Sequence, residues 1–452
     1  MNMQRNGMIA LLIAGLATLS ASAGDWPQFL GPDRDSVSRE TGLLSKFPAA
    51  GPKVLWTAKL GSGFGGAAVA GGAVHVLDRN EQRDIFRVLD LRRGTEQWRH
   101  AYDAPGRASH AGSRSTPTID GDRAYTVGSF GHVYCFDLKK RKPLWHFQLR
   151  ERHGEQPLKW AVAQSPLVYR DLLLVNPMTI GEPATVAMDK KTGVTRWKSE
   201  AFGGDFYSSP VVRTIAGVQG VLQIFSNSPE NNLVLFLDPE TGETIWKYTD
   251  YGVKWSIPAP TVLPDGKHVF ITGGYDAGSV MIAVEKSGSG FNVEKKWSIE
   301  SGSQLHPAIP VGNVLYANIN ENATLRRSTM GKGGLACIRP ADGKILWRTG
   351  AEPNFNRGHV LLADGKLIVL DGKIGDLVLI KPDPAGYREL DRANLFPEKK
   401  GNEIWAPMAL ANGLLVLRDQ FELKCVDLRA ASPSASADHR EPFAAGNGSR
   451  GQ

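Results

Sequence analysis

Residues 184–197, ATVAMDKKTGVTRW, decide the fold. They read as a strand ending at Asp189, a tight turn through Lys190-Lys191-Thr192-Gly193, and a returning strand that delivers Trp197. An aspartate before such a turn accepts bonds from the turn N–H groups, and glycine supplies the positive φ that a short hairpin loop needs. The tryptophan is a large apolar plate able to bury ~150–250 Å² against a neighbour. One such hairpin means little by itself.

The spacing recurs. Asp238, Gly242 and Trp246 repeat it, as do Asp90, Gly94 and Trp98. Asp137 and Trp145 keep the ends with Arg141 in the glycine place, and Arg339, Gly343 and Trp347 replace the aspartate. The hairpin reaching Trp297 carries a longer loop, and residues 381–390, KPDPAGYREL, are a degenerate copy. Trp56 is a returning strand with no hairpin before it, while residues 423–427, LKCVD, are an outgoing strand with none after it. From Trp56 through Trp347 to Leu390 the steps are 42 to 52 residues, each holding several short strands. That period is the signature of propeller blades. The expectation is an all-β, eight-bladed β-propeller of four-stranded antiparallel blades, its ring closed by the N-terminal strand joining the C-terminal blade.

Four segments follow. Residues 1–23, with Arg5, an apolar run and Ala21-Ser22-Ala23, read as a cleaved signal peptide. Residues 24–50 read as an ordered extension across the ring, anchored by Trp26 and Phe29, residues 51–429 as the propeller, and residues 430–452 as a disordered tail. The protein is therefore expected in the periplasm or secreted, without a transmembrane segment after cleavage and without a lipid-anchored cysteine. The 50 glycines and 27 prolines suit a turn-dense chain. The net charge of +7 is spread through turns, with no basic stripe interleaved with aromatics, which excludes a nucleic-acid partner. Cys135, Cys337 and Cys425 occupy the same place in three blades, too far apart for disulfides, and read as buried apolar residues.

Six blades begin with a residue pair followed by proline: Pro117, Pro166, Pro210, Pro260, Pro307 and Pro407. Proline has no N–H and belongs on an edge strand, and the innermost strand of a propeller is such an edge. The column therefore marks a channel entrance, ringed by Arg114, Trp160, Gln164, Tyr207, Trp255, His306, Arg357, His359 and Trp405. These are the candidate ligand-binding residues. Arg114, with His110 near it, either clamps an anionic group or pairs with a carboxylate inside the ring. Trp160 and Trp255 lie outside the blade motif and suit ligand stacking. His306 and His359 have no third ligand at metal spacing and read as satisfied polar histidines, so no metal site is assigned. The inserted residues 320–334, with Arg326 and Arg327, form either a lid or a solvated loop. No nucleophile motif supports Ser/His/Asp catalysis.

With the repeat established, the chain resembles the PQQ-like (pyrroloquinoline-quinone) β-propeller family, whose signature is A-x-D-x-x-T-G-x-x-x-W. Residues 187–197 match it completely and residues 238–246 match from the aspartate onward. The family spans quinoprotein alcohol dehydrogenases and assembly scaffolds such as the BamB lipoprotein. The resemblance implies PQQ with Ca²⁺ as the cofactor of the enzymes, held beneath an adjacent Cys–Cys disulfide by Glu, Asn and Asp ligands. This chain lacks the cysteine pair, a haem-binding C-x-x-C-H and an assignable calcium cluster, so no cofactor is assigned. The expectation is a monomeric, non-catalytic binding or scaffold protein taking a protein, small-molecule or glycan ligand at the channel mouth. The alternative is a quinone-dependent oxidoreductase with an atypical site.

Overall fold

A computed structural model describes residues 24–430, apart from 154–159, 180, 203, 205, 227–231, 253–256, 276, 320–332 and 398–402. The segments expected to be a signal peptide and a tail, and nearly all of the 320–334 insertion, lie outside the described residues.

Eight four-stranded antiparallel sheets form an eight-bladed β-propeller, with a single helical turn at Leu149–His153. The innermost strands, in blade order, are Ala68–Ala70, Thr118–Asp120, Leu167–Tyr169, Val211–Ile215, Thr261–Val262, Ile309–Val311, Val360–Ala363 and Ala409–Ala411. Strand Lys53–Lys59 is the outermost strand of blade 8 and pairs with Glu422–Asp427, placing Trp56 opposite Cys425. The two middle strands of a blade are sandwiched between neighbouring sheets, so they read as apolar runs such as Leu172–Val175 (LLLV) and Asp376–Ile380 (DLVLI). Outer strands such as Glu96–Asp103 alternate, with one face in solvent.

The repeated hairpin turns out to be an inter-blade lock. Each outer pair carries one register shift, beside Ala187 in blade 3, and the bulge leaves Trp197 opposite Ala187. That same register sets Cys135 against Trp145 and Cys337 against Trp347, which is why a small residue recurs there. All three cysteines are buried free thiols, and burial pushes Cys135 up to about 11 and Cys425 up to about 12. The tryptophan then packs on the turn of the next blade. A Cβ added at Gly94 would come within 2.4 Å of Trp56, at Gly242 within 2.4 Å of Trp197, and at Gly343 within 2.6 Å of Trp297. The indole N–H groups of Trp56, Trp197 and Trp297 donate to Leu91 O, Pro239 O and Pro340 O in those turns, at 2.8, 3.2 and 2.7 Å. Inside the turn, Asp189 Oδ1 accepts from the N–H groups of Lys191 and Thr192, each at 3.0 Å, and Gly193 N–H donates to Asp189 O. Blade 2 meets the same backbone demand without glycine, with Arg141 at φ +56°.

Residues 24–47 strap the face on which the innermost strands end. Trp26 exchanges backbone bonds with Val69 of blade 1, and Ile119 N–H of blade 2 donates to Pro27 O. The strap then reaches the axis, where Ser36 Oγ meets His359 Nε2 at 3.0 Å, and continues to Leu362 of blade 7 and Leu428 of blade 8. Trp26 and Leu30 are buried, while Phe29 stays partly exposed.

Arg34 enters the channel and uses all five of its N–H donors. Its partners are Gln28 Oε1 (2.8 Å), Pro210 O (2.9 Å), Ser165 O (3.4 Å), Thr118 Oγ1 (3.3 Å) and Pro166 O. The prolines of the inner column leave carbonyls without competing N–H groups, and the guanidinium gathers them. Burial, reinforced by Arg213, lowers Arg34 to about 9.

Two outcomes follow from these contacts. Gly242→Ala adds left-handed strain and a collision with Trp197, and should cost about 2–4 kcal/mol in denaturant unfolding. Gly217→Ala, at φ +77° with nothing within 4 Å, should lose only about 1 kcal/mol from strain. Arg34→Met should release the strap before the ring unfolds, costing about 3 kcal/mol locally and raising proteolysis within residues 24–47 on the order of a hundredfold.

Candidate functional site

At the opposite end of the channel, the loops leading into the innermost strands converge. Phe64, in the loop entering blade 1, is fixed by its N–H bond to Ser113 O (2.7 Å) and stacks on Trp405 at 5.2 Å. Arg114 lies over the Phe64 ring at 5.6 Å and donates to Gly112 O and His110 O at 2.8 and 2.5 Å. Arg357 lies over Trp405 at 4.7 Å and donates to Gln304 Oε1 at 2.8 Å. Gln304 in turn donates to the Tyr275 hydroxyl at 2.8 Å, and Tyr275 stacks on Trp160 at 5.4 Å. Trp160 meets Tyr207 at 5.0 Å, its N–H donating to the hydroxyl at 3.2 Å. The result is a chain of cation–aromatic and polar contacts around the mouth.

Burial lowers Arg114 to about 10, with Tyr207 and Glu403 opposing the shift and Arg79 adding to it. Burial also lowers Arg357, against the pull of Tyr275 and Glu403. Glu403 is the carboxylate between them: burial raises it, and both arginines resist. His110 sits 3.9 Å from Glu403, held below its ordinary value by burial and the two guanidiniums. Among the described residues Glu403 is the carboxylate that acts on both arginines, beside flat apolar rings. Such a surface can clamp an anionic group through the guanidiniums while an aromatic or aliphatic part lies on the rings.

Beneath the mouth lie the two histidines. His306 and His359 are buried with ring centroids 4.7 Å apart. Met408 N–H donates to His359 Nδ1 at 3.1 Å, so Nε2 carries the proton toward Ser36 Oγ. His359 is satisfied as expected of a core histidine. Neither ring nitrogen of His306 has a partner at good hydrogen-bond geometry among the described residues, although the backbone of Arg357 and Trp405 lies near enough to oppose the effect of burial on it. Gln164 also stands apart from the mouth. It is buried and clamps the backbone of Asn176 through both amide atoms, holding the blade 3 loop rather than facing a ligand. Trp255 lies outside the described residues.

Phe64, Tyr275, Gln304 and Glu403 join the mouth without a signal in the sequence. They come from four different loops, and only ring closure brings them together.

Among the described residues no group of three His, Cys, Asp or Glu could hold a metal ion, and the mouth offers Glu403 as its carboxylate. The three thiols are buried within blades 2, 6 and 8, away from the mouth.

The sequence profile of the family described as the outer membrane protein assembly factor BamB matches residues 29–248 and, overlapping, 83–329. The chain belongs to this family of PQQ-like propellers. A quinohemoprotein alcohol dehydrogenase of Pseudomonas putida is 23% identical over 296 residues, which is 62% of this chain but 39% of that protein. The propeller thus spans about two fifths of that relative. Among solved structures, the quinohemoprotein alcohol dehydrogenase of Comamonas testosteroni superposes with a TM-score of 0.63 at 13% identity, covering 92% of this chain and 82% of the other. BamB of Moraxella catarrhalis superposes with a TM-score of 0.56 at 14% identity, covering 84% and 98%. At such identities the shared feature is the fold.

The buried histidines make the propeller acid-sensitive. Burial lowers His306 and His75 to about 4 from an ordinary 6.5, and holds His359 well below 6.5, with His306 adding to the effect. Below pH 6.5 the unfolded chain takes up protons that the folded chain refuses. Their contribution to stability is therefore complete above 6.5 and falls as the pH drops toward 4, by up to about 1.4 kcal/mol per pH unit for each histidine. Denaturant unfolding at pH 7 and pH 5 should show this loss, and His306→Asn should reduce the slope by about one proton.

Proposed function

We propose that this PQQ-like propeller is a non-catalytic binding protein that takes a carboxylate-bearing segment of a partner protein at its channel mouth. The observation that carries this reading is the pair of half-buried guanidiniums, Arg114 and Arg357, each laid over an aromatic ring and each acted on by Glu403. An acidic side chain there can accept charge-assisted bonds from both guanidiniums while its stem lies on the rings, and such bonds are among the stronger polar contacts. The assembly-factor description of the matching family is in keeping with a propeller that holds a partner. The apolar run and small-residue site in residues 1–23 support export, so the partner is periplasmic or extracellular. We take the propeller to act as a monomer.

A second reading, a quinone-dependent alcohol dehydrogenase, draws on the names of the relatives and on the mouth itself. Flat rings beside two guanidiniums suit a planar polycarboxylate such as PQQ. Among the described residues no three His, Cys, Asp or Glu side chains gather to hold a metal ion, so this reading stands second. No catalytic step is assigned.

The experiment is a titration of the mature protein with an acidic peptide, acetyl-Glu-Asp-Glu-amide, its Gln-Asn-Gln counterpart, and PQQ with and without Ca²⁺. The acidic peptide should raise the melting temperature, with about 2.7 kcal/mol of stabilisation at a hundred times its Kd. The neutral peptide should not, and Arg357→Ala should weaken acidic binding about tenfold or more. Calcium-dependent PQQ binding with dye-linked alcohol oxidation would instead establish the dehydrogenase. Failure of both ligands would remove the mouth as a site.

A further inference from the structure

The strap covers blades 1 and 2, touches the axis, and leaves over blades 7 and 8. Between it and blades 3–6 a cavity of about 770 Å³ remains, walled by strap residues 32–35 and Val37 on one side and the inner strands on the other. A second cavity of about 570 Å³ shares Thr214, Asp265 and Gly266 with the first and extends outward to Glu285 and Lys286 on the long hairpin of blade 5. We propose that this face, at the opposite end of the channel from the mouth, binds a peptide through an arginine side chain.

The wall is rich in acceptors for a physical reason. Innermost strands are unpaired edges, and Pro260, Pro307 and Pro310 remove N–H donors from the part that lines the cavity. Arg34 demonstrates what such an edge binds. Pro166 O accepts from Thr118 Oγ1 at 2.6 Å and takes the Arg34 guanidinium with its other lone pair. Blades 5 and 6 repeat the first half of this arrangement in the cavity wall, where Thr261 Oγ1 donates to Ala308 O at 2.8 Å.

A carboxylate completes the set. Asp35 uses Oδ1 to accept from Val37 N–H at 3.0 Å and lines the same cavity. Burial raises its pKa, the Val37 bond and Arg213 pull the other way, and an incoming cation would relieve the burial cost. Arg213 is committed to the strap backbone, donating to Asp33 O and Arg34 O at 2.9 and 2.8 Å. Asp33 and Asp265 line the same cavity but are bonded to Arg39 and His268, so scattered carbonyls and the Asp35 carboxylate face the opening, and these match a guanidinium, whose five N–H groups spread in a plane, better than an ammonium point charge. The volume is that of an ordinary ligand pocket, and the outward extension suits a chain rather than a compact molecule.

The test is calorimetric titration with acetyl-Gly-Gly-Arg-Gly-Gly-amide and the same peptide carrying citrulline, the neutral isostere. The arginine peptide should bind one to one, and citrulline should bind at least tenfold more weakly. Asp35→Asn should weaken the arginine peptide about tenfold without lowering the melting temperature, because the amide oxygen still accepts from Val37. Arg357→Ala, at the mouth, should leave this binding unchanged. Equal affinity for citrulline, indifference to Asp35→Asn, loss of binding in Arg357→Ala, or no heat up to about 10 mM peptide would each overturn the proposal.

Discussion

The ring rests on a side chain of one blade lying on the turn of the next, and at four of the eight seams that contact is a tryptophan on a glycine. The contact solves the main problem of a propeller, which is that each twisted sheet is stable only against its neighbours. Trp197 on Gly242 and Trp297 on Gly343 are the same contact made twice, each with an indole N–H bond to a turn carbonyl. The glycine serves two purposes at once, adopting a left-handed φ and leaving the space the ring occupies. The variations are instructive. In blade 3 the Tyr125 hydroxyl donates to Lys190 O at 3.0 Å, and the Trp145 indole N–H is left without a partner among the described residues. Packing outlasts the hydrogen bond, which marks the ring–glycine contact as the primary interaction.

The two ends of the channel are chemically different because the ring itself is indifferent to what fills it. At the strapped end, proline-rich edges present carbonyls, and Arg34 is drawn in to satisfy them. At the mouth, the entering loops bring side chains rather than backbone, and among the described residues two guanidiniums lie there with the Glu403 carboxylate. His306 and His359 sit between these regions, His359 tied to the strap through Ser36.

The match to quinohemoprotein dehydrogenases and to BamB is a match of repeats, and the repeats are what the lock requires. Residues 187–197 carry it completely because the signature residues there are used: Asp189 in the turn, Gly193 under Trp145, Ala187 under Trp197. None of those positions lines the mouth, where Phe64, Trp405 and Glu403 lie. A chain can therefore keep the signature in full while its mouth changes.

The blade count, the four-stranded unit and the family were legible from the sequence alone, because spacing along the chain is what builds a hairpin and its lock. Local turns obey local rules, and a period of 42 to 52 residues can be read without coordinates. The mouth was legible in part. Arg114, Trp160, Arg357 and Trp405 stood out beside the proline column, since each precedes an inner strand. Gln164 shared that position, yet its amide turns back onto Asn176, which no spacing reveals. Arg34 gave no signal at all, being one arginine among many in a loop-like leader. Only the tertiary structure decided its role, because its five acceptors come from the leader itself and from blades 2, 3 and 4 and meet only once the ring exists.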